Sequence, residues 1–349
     1  MKKVFFLLFL LIFSVSLFAQ RLPRVRILAT GGTIAGTGAS ADRAAYTAGE
    51  LPVKDLIAAV PGLDKVAEIT GEQVANVGSQ DMTVAIWIKL NKRINEIFKN
   101  DEADGIVITH GTDTQEETAY FLSLTVRYDK PVVLTGAMRP ATAISADGPK
   151  NLYDAVVLAA SKEAQGKGVM LEFSESIFTG RDAVKINTTH VEAFNSPNDG
   201  PIGQVYDGQV VFYKQLLRKE NKSTPFDITG MTSLPEVAVV YLYADAPATG
   251  INAAIAKNVK GLVTGGLGNG NLNKVNTTAV EAAVKRGISV VRASRVPSGR
   301  VVLHDETDDA KLGTIVSDDL LPQKARILLM LGLTQTMDKA QLQQYFFEY

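Results

Sequence analysis

Between Val25 and Phe173 the chain repeats one unit: a short run of mostly β-branched apolar residues, a small polar turn, then a stretch with helical periodicity. The runs are Val25–Ala29, Val66–Val77, Gly105–Thr109, Pro131–Thr135 and Val169–Phe173. The helical stretches are Val53–Val60, Met82–Lys99, Gln115–Val126 and Lys150–Ala160. In the last, Leu152, Val156, Ala159 and Ala160 fall near a 3.6-residue period. Strands that alternate with helices form a parallel sheet covered on both faces. That rhythm restricts the first part of the chain to an open α/β sheet.

The rhythm fails between 214 and 235, KQLLRKENKSTPFDITGMTSLP, a polar stretch with two prolines that reads as a linker. It resumes with strands at Val237–Tyr243, Gly261–Val263 and Ser289–Val296, and helices near Gly250–Lys257 and Asn276–Arg286. Two closing helices lie near Gln323–Thr334 and Lys339–Phe347. The expected fold is therefore α/β: a larger N-terminal, mainly parallel sheet flanked by helices (residues 20–213), the linker (214–235) and a smaller C-terminal α/β domain (236–349). Residues 1–19 read as a signal peptide. Lys2 and Lys3 precede an apolar run from Val4 to Phe13, and Ala19 offers a cleavage point. Export to the periplasm or the medium is expected, with no membrane attachment after cleavage.

The chain has no cysteine, which excludes disulfides, lipid-modified cysteine, zinc–thiolate sites and cysteine nucleophiles. Its three histidines, His110, His190 and His304, lie far apart and form no HExxH pattern, so no metal or other cofactor is expected. A formal net charge of −1 gives no reason to expect nucleic acid as a partner.

In open parallel sheets ligands bind beyond the carboxyl ends of the strands. The first four strands are followed by Thr30-Gly31-Gly32-Thr33, Gly78-Ser79-Gln80-Asp81, Gly111-Thr112-Asp113-Thr114 and Gly136-Ala137-Met138-Arg139. Three of the four place a hydroxyl beside glycine. Asp113-Thr114-Gln115-Glu116-Glu117 contains two overlapping capping-box patterns, Asp113 to Glu116 and Thr114 to Glu117, so these residues are expected at least to cap a helix. The same helix start offers free N–H groups to an oxyanion, and Asp113 could hold a substrate ammonium. GGTIAGTG is no phosphate loop, lacking GxxxxGK[ST]. Gly36 to Tyr46, rich in small residues, reads as a lid. A hydroxyl nucleophile needs a base, and without a histidine in view the candidates are tyrosine, lysine or carboxylate.

The segments ILATGGTIAG, GSQDM, ITHGTDTQEETAYFL, GAMRP, SADGPKNLYDAV, GRDAVKIN, GLGNGNL and ASRVPSG together resemble the bacterial type II L-asparaginases of the asparaginase/glutaminase family, from about Leu22 to Tyr349. The resemblance implies hydrolysis of L-asparagine, with a glutaminase-asparaginase acting also on L-glutamine as the alternative. It implies Thr33 as primary nucleophile, Tyr46 as the lid tyrosine that activates it, and Thr112, Asp113 and Lys185 as a second polar triad. Ser79 and Asp113 would hold the substrate α-carboxylate and α-amino group, Gln80 assisting, with Ala137 also lining the site. Glu306 would lie near the amino group with Asn269 as its partner, both reaching in from a neighbouring subunit of a homotetramer built as a dimer of dimers. Exported relatives often carry a disulfide, and Tyr128 stands where one of its cysteines would be. A solute-binding protein would share the two α/β domains and the leader but would need no nucleophile.

Overall fold

The computed structural model describes residues 21–38, 46–47, 49 and 51–349. The expected signal peptide, and most of the expected lid, lie outside the described residues.

The main sheet has eight strands in the order β12-β11-β8-β7-β6-β5-β1-β4. Its parallel part comprises β4 (Glu68–Val77), β1 (Arg24–Gly31), β5 (Gly105–Thr109), β6 (Val132–Thr135) and β7 (Val169–Phe173). Antiparallel strands β8 (Ser176–Thr179), β11 (Gly203–Tyr206) and β12 (Gln209–Phe212) extend it. Every residue of β5, β6 and β7 is buried, as continuous apolar runs in the middle of a covered sheet should be. Strand β4 forms the edge and is mostly open to solvent. Two short ladders stand apart: β2 (Thr37–Gly38) with β3 (Tyr46–Thr47), and β9 (Val184–Lys185) with β10 (Phe194–Asn195).

Helix α1 (Val53–Ala58) and helix α4 (Gly148–Ala160) share one apolar cluster with Ile27, Val107 and Val133, and so cover one face. Helices α2 (Val84–Lys99) and α3 (Gln115–Thr125) cover the other. Helix α2 turns Trp87, Leu90, Ile94 and Ile97 inward at spacings of three and four, all 4 % exposed or less. Truncating a buried residue such as Ile94 to alanine would cost about 2–5 kcal/mol.

The second sheet is parallel throughout: β13 (Val237–Tyr241), β14 (Gly261–Gly266), β15 (Ser289–Ser294) and β16 (Ile315–Val316). Helices α5 (Thr249–Lys257) and α6 (Lys274–Lys285) line one face. After a short α7 (Asp309–Leu312), α8 (Pro322–Gly332) packs between the two sheets, touching both α3 and β13–β15, and α9 (Lys339–Glu348) closes over it. A single apolar cluster therefore runs from α2 and α3 through α8 into the second sheet. The stretch 214–235 has no strand, but it is not loose chain. Phe226 is fully buried, edge-on to Tyr345 and Tyr349, and Thr224 and Ile228 are buried with it. Beside the position matched to a disulfide partner, the Tyr128 and Phe98 rings sit 5.7 Å apart, with Lys130 over Phe98. An aromatic contact bridges α2 and the chain entering β6 there.

No helix among the described residues is long and apolar enough to cross a membrane.

Candidate active site

The site is built on main chain that comes too close for side chains. Gly31 and Gly32 have φ of +109° and +85°, a region that only glycine occupies readily. A Cβ on Gly31 would lie 2.5 Å from Val77 O, and one on Gly32 would lie 2.4 Å from both Cα and N of Gly111. A Cβ on Gly111 would meet Ser79 Oγ at 2.7 Å, and one on Gly136 would meet His110 O at 2.5 Å. The turns after β1, β4, β5 and β6 are thus pressed together at the carboxyl edge of the sheet. The register between β1 and β4 shifts between Ala29 and Gly31 to permit it.

Thr33 opens a short 3-10 turn, Thr33–Ala35, and is buried. Thr112 is also buried, in the turn that Gly32 touches. Lys185, on the isolated β9 ladder, reaches across to donate to Thr112 Oγ1 (2.8 Å) and to Asp113 Oδ1 (2.7 Å). An ammonium only donates, so Thr112 Oγ1 accepts and turns its own proton away from Lys185. Ser79 is buried and its Oγ accepts from Asp113 N at 3.1 Å. Ala137 is fully buried, its turn fixed by Asn151 donating to Gly136 O and by Asp147 accepting from Met138 N. Gln80 is exposed and, among the described residues, its side chain bonds only its neighbour Asp81. The backbone of Tyr46 pairs with Gly38.

The capping boxes expected at the start of α3 do not form. Thr114 is the N-cap residue, yet its hydroxyl donates to Ser79 O (2.8 Å) and makes no cap bond. Asp113 is engaged by Lys185. Glu116 accepts from Lys185 N through Oε2 and from Gln323 Nε2 through Oε1, both at 2.6 Å. Charge-assisted bonds took the two carboxylates that the pattern assigned to the helix, and Ser79 O took the Thr114 hydroxyl.

His110 was available in the sequence but is occupied. Its Nδ1 lies 2.7 Å from Gly111 O, which can only accept, so Nδ1 carries the proton and Nε2 accepts from Thr118 Oγ1 at 2.9 Å. Trp87 Nε1 donates to the same hydroxyl at 2.8 Å. Full burial lowers the His110 pKa to about 4, leaving a neutral ring that braces the turn from below.

Glu117 is mostly buried, with Arg326 Nη1 4.0 Å away. Burial raises its pKa to about 7, Arg326 and Lys324 opposing and Glu116 reinforcing the shift. Because the folded value exceeds the unfolded one, the folded state binds the extra proton, and stability declines as pH rises from about 4.5 to about 7. The penalty is on the order of 3 kcal/mol. Glu117→Gln should therefore melt close to wild type at pH 4 and above it at pH 8, as thermal melts at both values would register. An equal offset at the two pH values would contradict the assignment.

In the second domain Asn269 does not hold Glu306. Asn269 Nδ2 donates to Asp305 Oδ2 (2.7 Å) and its Oδ1 accepts from Val302 N (2.7 Å). The residue bonded to Glu306 is Asn271. The GNGN turn offers two asparagines one glycine apart, and the Leu267–Asn271 bridge aims the second at the acid. Behind them, fully buried Arg292 grips Asp309 with two bonds of 2.6 and 2.7 Å. It also donates to Asn269 O and Val302 O, tying the asparagine turn to the chain that carries Glu306. Asn271 was missed in the sequence, where nothing distinguishes the two asparagines. No cluster of three or more potential metal ligands occurs among the described residues.

Two threonine-bearing turns, a lysine and a carboxylate gathered at strand ends are the parts that acyl transfer needs. With the relatives below, they place the chain among the amidohydrolases. A family model described as Asparaginase, N-terminal, matches residues 24–218, and one described as Glutaminase/Asparaginase C-terminal domain matches 236–346. The chain belongs to the asparaginase family. It is 50% identical over 331 residues to L-asparaginase 2 of Escherichia coli (strain K12), covering 95% of this chain and 94% of that one. It is 49% identical over 328 residues to a probable periplasmic L-asparaginase of Haemophilus influenzae, covering 94% and 93%. The crystal structure of a probable cytoplasmic L-asparaginase from Campylobacter jejuni superposes with a TM-score of 0.91 at 47% identity, covering 94% of this chain and all of that one.

Proposed function

We propose that the protein is an exported L-asparaginase, converting L-asparagine and water to L-aspartate and ammonia. The observation that carries this reading is Lys185 Nζ bridging Thr112 Oγ1 and Asp113 Oδ1 beside the turn of Thr33. Thr33 Oγ attacks the carboxamide carbon, giving a tetrahedral oxyanion. The C–N bond then breaks, nitrogen leaves as ammonia with the threonine proton, and an acyl-threonine ester remains. Water adds to that ester, returns a proton to Thr33 and releases aspartate. Tyr46 passes the proton at the first centre, and Thr112 with Lys185 assists at the second. General acid–base help of this kind contributes roughly 10²–10⁴ in rate. The test is ammonia release from L-asparagine, L-glutamine and their D-forms. Release from L-asparagine is expected, and none from any amide would remove the reading in favour of a receptor. Comparable rates on L-glutamine would favour a glutaminase-asparaginase instead, a reading that the C-terminal family description supports.

Ser79, Gln80 and Asp113 bind the amino-acid end of the substrate, Ser79 and Gln80 at the α-carboxylate and Asp113 at the α-ammonium. Asp113→Asn removes a charge-assisted bond worth about 1.5–3 kcal/mol, while its Oδ1 can still accept from Lys185. The loss in kcat/KM should fall on L-asparagine and largely spare succinamic acid, which lacks the α-amine. Equal losses on both would refute this role.

The assembly proposed is a homotetramer, a dimer of dimers, with Glu306 and its Asn271 completing the site of a neighbouring subunit. In one chain Glu306 is exposed and Asn271 half-buried. Thr33→Ala and Glu306→Ala, each nearly inactive, should regain activity when unfolded together and refolded as a mixture. In a mixed pair one site carries both lesions and the other carries none. Random pairing in equal amounts gives about a quarter of wild-type activity. No recovery from correctly sized assemblies would place Glu306 within its own subunit's site or outside any site.

A further inference from the structure

Lys185 must keep one ammonium within 2.8 Å of two acceptors, from the end of a four-carbon stem. Its own strand gives little support. The β9 ladder is two residues long and, among the described residues, pairs only with Phe194 and Asn195. Support comes instead from the second domain. Lys324, in the first turn of α8, is 1 % exposed, and its Nζ donates to Arg181 O and Ala183 O, both at 2.5 Å. Next to it, Gln323 Nε2 fixes Glu116, whose other oxygen accepts from Lys185 N. Arg181, buried as well, bonds Asp319 at 2.5 and 3.2 Å and Tyr349 O at 2.9 Å.

A buried ammonium costs several kcal/mol unless its hydrogen bonds are met. Among the described residues no carboxylate lies within ion-pair distance of Lys324. Both its acceptors belong to the four residues leading into Lys185. Glu116, Asp182 and Glu117 favour its charge from farther off, while its hydrogen bonds go to main-chain carbonyls two and four residues ahead of the active-site lysine.

We propose that Gln323 and Lys324 are positioning residues for Lys185: the second domain of each chain sets the active-site lysine of that chain's own first domain. The inference rests on the asparaginase reading of Lys185. It is separate from the contribution of Glu306, which comes from a neighbouring chain.

The test uses the full-length protein with Gln323→Ala, Lys324→Met and Lys185→Met, alone and combined. A displacement of about 1 Å can cost as much as 10²-fold. Gln323→Ala is therefore expected to lower kcat on L-asparagine about 10- to 100-fold while KM moves less than about threefold. Calorimetric affinity for L-aspartate should hold. In the Lys185→Met background the same change should cost nothing more, because the group being positioned is gone. Equal losses in the two backgrounds would reduce the clamp to a stabilising contact and overturn the proposal. So would wild-type kcat in Gln323→Ala with Lys185→Met crippled. If Lys324→Met does not fold, Gln323→Ala alone decides, since its side chain is half-exposed. Full activity in Lys185→Met would instead remove the role given to Lys185, and the clamp's role with it.

Discussion

Thr33→Ala is expected to lower turnover of L-asparagine by about 10⁴-fold or more, since losing the proposed nucleophile removes the covalent route itself. The fold should survive. Thr33 sits in a turn held by main-chain bonds, Ala35 N to Gly32 O and Gly36 N to Thr33 O, which an alanine retains. Aspartate should still bind, because the groups proposed to grip it lie on the turns after β4 and β5. The measurement is single-turnover ammonia release beside calorimetric aspartate binding. A variant keeping a tenth of wild-type turnover would show that Thr33 does not form the acyl-enzyme, leaving Thr112 to direct water onto the amide.

The second large effect concerns Thr112 and Lys185. Thr112→Val keeps the shape and the backbone N–H but removes the hydroxyl that Lys185 bonds, leaving it Asp113 Oδ1 alone. Lys185→Met keeps most of the stem and removes the cation. Each is expected to cost about 10²–10⁴ in kcat, the usual range for assisted proton transfer. Because one hydrogen bond joins them, the double variant should be scarcely worse than the weaker single. Strictly multiplicative losses would mean that the two groups act separately and that their 2.8 Å contact is incidental.

Much of the architecture was legible before any coordinates. The apolar runs of β5 and β7 had unambiguous ends because glycine and polar turns bound them, and α2 followed from its spacing alone. The four turns at the sheet edge were legible for the same reason, since topology decides where strand ends meet. Short elements escaped. Strand β16 is two residues of pairing and α7 a single turn, too brief for periodicity to register. Side-chain partnerships escaped more often. Local pattern assigned Asp113, Thr114 and Glu116 to a helix cap, but partners distant in the chain took each one: the Lys185 ammonium holds Asp113, Ser79 O accepts from Thr114, and Lys185 N with Gln323 holds Glu116. Lys324 and Gln323 look like ordinary surface residues at a helix start. Only the docking of α8 against α3 shows what they hold.

The floor of the site is peptide rather than side chain. Where Gly32 meets Gly111 and Gly31 meets Val77, no residue with a Cβ fits without moving a strand. These positions are closed to directed evolution, and a library that randomised them would consist mostly of misfolded chains. Variation in substrate preference has to enter from the walls: on the proposed reading, from Gln80, which is exposed, or from the Asn271–Glu306 pair of a neighbouring subunit. A designer seeking a different amide would do well to leave the floor alone and rebuild the far wall, where a change of length or charge meets solvent instead of main chain.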